Sequence, residues 1–299
     1  MGAYSKWNSL RLLIKDRRLW LLGAICYLIF ITFPGFYSPI RTGLDPSWAY
    51  GLNYLAQSGH IFGRDVVFSY GPLGYLLSPL NIGSNLIFAL TLWVIVHSLF
   101  AFILIHFLKT KRLLPFLLFI IAYIIISAIG WLWLILYEYH IVLILGLLLC
   151  ASLEVSKKTY YITLPLAGLL SGLSLFMKLN LGLTALTMII IYAGICVIKM
   201  RKKVWQAVLL SFLPYLLIIA CLAKIHFQSY QHFARWIIAS FEIVDGYSTA
   251  MAVIGSEKIL ILGVIAIILY ITLSLILFKR KTNLFYVALI FLIPVFFFI

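Results

Sequence analysis

Long apolar runs recur along the chain, separated by short polar stretches. Nine runs approach the roughly 20 apolar residues that a membrane-crossing helix needs, at 19–35, 85–107, 113–130, 131–152, 160–177, 182–198, 204–223, 258–278 and 283–299. The pattern predicts an all-α polytopic membrane protein with about nine transmembrane helices, forming a single transmembrane domain over residues 1–299.

Two stretches between these runs are long, at 36–84 and 224–257. The first contains "LDPSWAYGLNYLAQSG", with Asp45 at an N-cap position, Pro46 at the first helical position and Gly59 as a stop. One apolar face of this segment holds Trp48, Leu52 and Leu55. These features predict a short amphipathic helix that lies along the outer membrane surface.

Two further loop elements follow from the same reasoning. "SYGPLGYLLSPL" predicts a second short helix that Pro72 starts and that ends near Pro79, after a loop "HIFGRDVVF". In the second long loop, helical spacing of apolar residues predicts a surface helix with a face of Phe233, Trp236, Ile237 and Phe241. "EIVDGYSTAM" then predicts a turn that carries Glu242 and Asp245.

Basic residues predict the orientation. Of the 23 Lys and Arg residues, 17 lie in five segments, 1–18, 108–112, 153–159, 199–203 and 279–282. The positive-inside rule then places the N-terminus in the cytoplasm and both long loops outside. A net charge of +15 divided among short clusters does not form the single patch that nucleic acid requires. The predicted location is therefore a plasma membrane of bacterial type, with the active face outward.

Composition agrees, since 10% of the residues are charged against about 25% in a soluble domain. The four cysteines lie inside apolar runs without metal-ligand spacing. The first run has no small-residue cleavage site and is interpreted as an uncleaved span. The last run stops inside a span, and we expect the chain to be a fragment of a longer protein or a truncated gene product.

Two ionisable residues lie inside or at the ends of predicted spans. Lys178, in "SLFMKLNLGLTAL", occupies a tight outer turn, where a lysine either snorkels to headgroups or serves a site. Glu138, in "WLWLILYEYHIVLIL", needs a partner on a neighbouring helix or a cavity. In the loops, Asp45 is either a helix cap or a site residue. Asp65 is either a solvated partner of a nearby arginine or a site residue.

The first loop carries a resemblance. An acid soon after the first span, a surface helix and then Gly71-Pro72-Leu73 within "GPLGYLL" are similar to the first periplasmic loop of GT-C glycosyltransferases. These polytopic enzymes include protein O-mannosyltransferases and lipid A aminoarabinose transferases. The resemblance covers the first 85 residues. The second acid frequent in that family is absent, because Pro46 follows Asp45.

The resemblance implies an inverting glycosyltransferase (hexosyltransferase class) that moves a sugar from a polyprenyl-phosphate donor to a lipid, glycan or protein acceptor. The implied catalytic residues are Asp45 as base, assisted by Asp65 and Glu138. The implied donor-phosphate ligands are Arg64, Lys178 and Arg235. The implied acceptor-binding residues are Trp48, Tyr70 and Glu242. No metal-ligand set stands in the sequence, no cofactor is certain, and a role for a divalent metal stays open.

Two other functions remain open at this point. A transporter or flippase for a lipid-linked or anionic solute would need polar residues near the midplane of several spans. A non-catalytic membrane assembly subunit would use the outer loops to bind a partner. It would tolerate Asp45→Asn without loss of function.

Overall fold

The computed structural model describes residues 42–109, 135–154, 157–199 and 204–250, together with scattered positions between 22 and 30 and between 257 and 290. Its helices in chain order are α1 (Leu44–Gln57), a 3-10 turn (Gly74–Leu76), α2 (Asn85–Lys109), α3 (Ile135–Glu154), α4 (Lys157–Met177), α5 (Leu179–Lys199), α6 (Val204–Phe227) and α7 (Tyr230–Ala250).

Four described helices are long and apolar enough to cross a membrane, over Asn85–Ile105, Tyr160–Met177, Leu179–Ile198 and Val204–Phe227. They confirm a helical, multi-pass membrane protein. A shorter apolar helix, His140–Leu153, lies within α3. The predicted span 113–130 lies outside the described residues, and of 19–35, 258–278 and 283–299 only scattered positions are described. The count of nine spans stays a prediction.

The chain divides into two compact units, one of Met1–Tyr37 with Leu90–Leu136 and one of Ser38–Ala89 with Tyr137–Ile299. In the first unit, α2 buries Trp93, Val96 and Phe100 along one face at helical spacing. His97 Nδ1 on the same helix lies 2.9 Å from the carbonyl oxygen of Trp93. The second unit holds α1, α4 to α7, the first five residues of α2 and all but the first two residues of α3. The predicted single domain over 1–299 stays a prediction.

The core of the second unit depends on close contact between α4 and α6. In "GLLSG" of α4, Gly168 and Gly172 are four residues apart and face α6. A Cβ atom at Gly168 would overlap the carbonyl oxygen of Ser211, and one at Gly172 would overlap the side chain of Ile218. Small residues at this spacing let two helices in a membrane approach until their backbones touch.

The opposite side of α6 is apolar and open. Leu209, Leu213, Leu216 and Leu217 are each more than half exposed. A soluble protein rarely leaves such a stripe uncovered. On a helix long enough to span a bilayer, the stripe is what contact with lipid requires.

Helix α1 forms as predicted but begins two residues earlier. Gly43 is the N-cap residue, so the prediction that Asp45 caps the helix is wrong and Asp45 is its second residue. Gly59 has a φ of 72° just beyond the helix end and confirms the predicted stop. The apolar face packs on the protein, since Leu52 is buried.

Two loop predictions are wrong. The predicted second helix is only the 3-10 turn Gly74–Leu76. This segment packs tightly between α1 and the end of α4, since a Cβ atom at Gly74 would lie 3.2 Å from the carbonyl oxygen of Met177 and 3.3 Å from the side chain of Leu52. The predicted turn at "EIVDGYSTAM" is helical, since α7 continues to Ala250 and includes Glu242.

Candidate functional site

The loop segment Ser69–Leu73 binds the point where α4 ends and α5 begins. Gly71 N–H donates to Met177 O (3.1 Å), Leu73 N–H donates to Phe176 O (2.9 Å), and Leu179 N–H donates to Ser69 O (2.9 Å). Helix ends leave backbone groups without intrahelical partners, and a membrane offers little water to satisfy them. The loop therefore caps the C-terminus of α4 and the N-terminus of α5 together.

Gly71 is required for this approach. A Cβ atom at position 71 would overlap the carbonyl oxygen of Phe176 and press on the indole of Trp236. The Gly-Pro-Leu segment that carries the family resemblance is thus in direct contact with the end of α4.

Lys178 is the single residue between α4 and α5, and its side chain meets Glu138 of α3. Lys178 Nζ lies 2.9 Å from Glu138 Oε1 and 3.1 Å from Oε2. The Glu138 side chain is 4% exposed and the Lys178 side chain 20%. A charge this deeply buried is stable only with a bonded partner, so each residue supplies what the other needs.

Tyr70 contacts both members of the ion pair. Its hydroxyl donates to Glu138 Oε1 at 3.2 Å, and Lys178 Nζ lies 4.6 Å from the centroid of its ring. That geometry adds a cation–π attraction to the ion pair. We call Tyr70, Glu138 and Lys178 the polar junction.

Three rings form a stack beside the polar junction. Tyr70 is the middle ring, with Trp48 of α1 at 4.8 Å and Phe68 at 5.5 Å between centroids. We call Trp48, Phe68 and Tyr70 the aromatic stack. The carbonyl oxygen of Phe68 accepts hydrogen bonds from Trp236 Nε1 (2.9 Å) and Ser240 Oγ (3.0 Å) of α7. The second long loop therefore fixes the first.

Four residues that the sequence singled out thus come together: Trp48, Tyr70, Glu138 and Lys178. They come from α1, the loop, α3 and the α4–α5 link, and they are far apart in sequence. Sequence reasoning did not identify Phe68 or Ser240 as site residues, and it did not identify Trp236 as a hydrogen-bond donor. Their role depends on a carbonyl group, which no side-chain motif reports.

Arg64 and Asp65 pair with each other at the surface. Arg64 Nε lies 2.8 Å from Asp65 Oδ1, and the Ile61 N–H donates to Asp65 Oδ2 at 3.0 Å. The hydrogen bonds from Arg64 and then Ile61 lower the pKa of Asp65 to about 2, and the same contact raises the pKa of Arg64. A carboxylate with this pKa is a weak base at neutral pH. The geometry matches the solvated pair that the sequence left open.

The other predicted site residues lie on α1 and α7. Arg235 is exposed beside the buried Trp236, and Glu242 is exposed two turns further along α7. Asp45 lies in the first turn of α1, and its side chain is outside the described part. Its backbone position is three residues before Trp48, so the two positions are neighbours on the helix surface.

A buried amide network at the other end of α1 was not predicted. Asn53 donates to Ser78 O (2.7 Å) and accepts from the Leu80 N–H (3.0 Å). Asn85, the first residue of α2, donates to Asn53 O at 2.8 Å and accepts from Gln57 Nε2 at 2.6 Å. An asparagine beside Leu52 on the apolar face of α1 was the available signal.

Within the described residues, no three His, Cys, Asp or Glu side chains lie close enough to hold a metal ion. At Glu138, the carboxylate already binds an ammonium group, which repels a second cation. The described residues therefore do not fit a divalent metal, and no chemical step is assigned to one.

No protein-family model, curated protein or solved structure matches the chain. The resemblance to GT-C glycosyltransferases therefore depends on the quoted residues of the first loop alone.

Proposed function

We propose that the chain is a membrane glycosyltransferase that moves a sugar from a polyprenyl-phosphate donor to an acceptor hydroxyl at the extracytoplasmic face. One observation carries the proposal. The polar junction and the aromatic stack are assembled at the ends of two membrane-crossing helices, α4 and α5. A substrate whose lipid tail stays in the bilayer would present its phosphate and sugar at that depth.

Lys178 is the proposed donor-phosphate ligand. An ammonium group has three N–H donors, and two of its close contacts go to Glu138. The Lys178 side chain remains 20% exposed, which leaves one donor for a phosphate oxygen. As the glycosidic bond breaks, negative charge grows on the phosphate, and a fixed cation stabilises that charge. Arg64 and Arg235 stay candidates for the same role from the loops.

Glu138 is better suited to positioning Lys178 than to taking a proton. Its two oxygens accept three hydrogen bonds, two from Lys178 and one from Tyr70. A carboxylate engaged in this way holds the ammonium group in one place. We therefore keep Asp45 as the proposed base and assign Glu138 and Asp65 supporting roles.

In the proposed reaction the acceptor oxygen attacks the anomeric carbon and forms the new C–O bond. The bond between that carbon and the phosphate oxygen breaks, and its electrons leave with polyprenyl phosphate. The hydroxyl proton passes to the Asp45 carboxylate. Attack opposite the leaving group inverts the anomeric centre. Trp48 and Tyr70 would contact the acceptor through their ring edges, and Glu242 would do so from α7.

The test is transfer of labelled sugar in membranes that contain the protein. The donors are polyprenyl phosphates that carry labelled mannose, glucose or aminoarabinose, and the variants are Asp45→Asn and Lys178→Met. Asp245→Asn is the matched control, since Asp245 is an exposed aspartate on α7. We expect transfer by the wild type and the control, and a loss of about 100-fold or more for Asp45→Asn, as for a general base.

The result that would exclude the base assignment is equal transfer by Asp45→Asn and wild type. If folded wild-type protein transferred sugar from none of the donors, the proposed glycosyltransferase activity would be contradicted.

A non-catalytic assembly subunit is the second candidate function, because the polar junction also stabilises the docked position of the loop. Among the described residues, Glu138 accepts hydrogen bonds from Lys178 and from Tyr70, and the bond from Tyr70 holds the loop in place. In that case Lys178→Met would loosen the loop and reduce co-purification of a partner. Sugar transfer would be absent in the wild type as well.

A further inference from the structure

Helix α1 is tied near both ends to the ends of membrane-crossing helices. Near its N-terminus, Trp48 stacks on Tyr70, whose backbone pairs with Lys178 between α4 and α5. At its C-terminus, Gln57 donates to Asn85, the first residue of α2. All of these residues belong to the second unit.

The distance between these two attachments shows that both lie on the same side of the membrane. Trp48 and Gln57 are nine residues apart, which is about 14 Å along a helix at 1.5 Å per residue. The hydrocarbon core is about 30 Å thick. A segment this short does not reach across it, so the start of α2 and the α4–α5 link lie on the same side of the membrane. Helix α1 must then run along that surface, at the depth where the spans end.

The side of α1 that remains open is aromatic. Ala49, Leu52 and Asn53 are buried against the protein. On the other side Tyr50 is 42% exposed and Tyr54 is 50% exposed, and their rings lie 6.2 Å apart at an angle of 14°. Four residues separate them, so they occupy neighbouring turns of one face.

We propose that Tyr50 and Tyr54 insert into the phospholipid headgroup layer and hold α1 at a fixed depth. Tyrosine has an apolar ring and a polar tip, and it is enriched where a protein crosses the boundary between lipid and water. The apolar face of α1 is used inside the protein, so the membrane contact of this helix passes to the tyrosine pair. This inference does not depend on the proposed enzymatic activity.

The test is photo-crosslinking to lipid. A benzophenone amino acid replaces Tyr50 or Tyr54, one position at a time, in the full chain in membranes that contain an alkyne-tagged phosphatidylethanolamine. Position 217 on the open face of α6 is the positive control, and position 64 in the exposed ion pair is the negative control. We expect lipid adducts at 50 and 54 as strong as at 217, and none at 64.

Only protein that elutes from size-exclusion chromatography as the wild type does is counted. Both substituted positions are exposed, so the larger ring does not enter the core, and the two positions give independent readings. Adducts at neither position would place this face in water and overturn the proposal. Adducts to another protein instead of to lipid would also overturn it and would assign the face to a protein interface.

Discussion

The stability losses from removing Glu138 and Lys178 one at a time should add up to more than the loss from removing both together. Breaking a buried pair by losing one partner typically costs about 3–5 kcal/mol. In Lys178→Met, the carboxylate of Glu138, 4% exposed, keeps only the hydrogen bond from Tyr70. We expect a loss of about 3 kcal/mol, at the low end because that one bond survives.

The reverse variant should be milder. In Glu138→Leu, the ammonium group of Lys178 is left on a side chain that is 20% exposed and flexible, so it can turn toward water. The main loss is then the acceptor of the Tyr70 hydroxyl, about 2 kcal/mol. In the double variant no charge is stranded, and the main loss is the acceptor of the Tyr70 hydroxyl, about 2 kcal/mol. The coupling free energy should then be about 3 kcal/mol.

The assay is reversible unfolding of the purified protein in mixed micelles, by titration with a denaturing detergent and helical circular dichroism. The control pair is Arg64→Met with Asp65→Leu, an exposed ion pair whose coupling free energy should be no more than about 1 kcal/mol. Additive losses for the two single variants at the polar junction would refute the reasoning, because they would mean that neither charge depends on the other for its partner.

Three further predictions concern single residues. Gly71→Ala should weaken loop docking by about 2 kcal/mol or more, because the alanine methyl group overlaps the carbonyl oxygen of Phe176. Faster amide hydrogen exchange at residues 69–73 would reveal the weaker docking, and unchanged exchange would contradict this prediction. Gly168→Leu should separate α4 from α6 and lower the unfolding temperature, whereas Leu217→Ala on the open face should leave it nearly unchanged. The Asp65 carboxylate should titrate near pH 2 by carbon-13 NMR, since its pKa is lowered from 3.8 to about 2. Its contribution to the stability of the fold is therefore present above about pH 4 and lost as the pH falls through 2. In Arg64→Gln, the midpoint of the Asp65 titration should return toward 3.8.

Sequence reasoning worked where local signals decide the structure. The apolar runs at 85–107, 160–177, 182–198 and 204–223 correspond to α2, α4, α5 and α6, because length and hydropathy are properties of a single segment. The stop at Gly59 was predictable for the same reason.

It failed where distant partners override local signals. Pro72 has the sequence context of a helix start, but only one 3-10 turn follows it, packed between Leu52 of α1 and the end of α4. Asp245 and Gly246 have the composition of a turn, but α7 continues through them. The tertiary environment outweighs the small propensity differences in both cases.

The candidate site was predicted in part. The sequence identified Glu138 as a residue in need of a partner and Lys178 as an unusual cation, but it did not pair them, since they lie 40 positions apart. Their pairing follows from how α3 packs near the α4–α5 link, which hydropathy does not encode. The roles of Asp45, Arg235 and Glu242 stay predictions.

The backbone bonds between Ser69–Leu73 and the α4–α5 link also bear on biogenesis. The loop is synthesised before α4, so the N–H groups of Gly71 and Leu73 bond to water until the later helices have been inserted into the bilayer. The loop can dock only after Leu179 has been translated and the hairpin of α4 and α5 has been inserted. A nascent chain halted ahead of that residue would expose the loop to proteases, and release of the halt should restore protection.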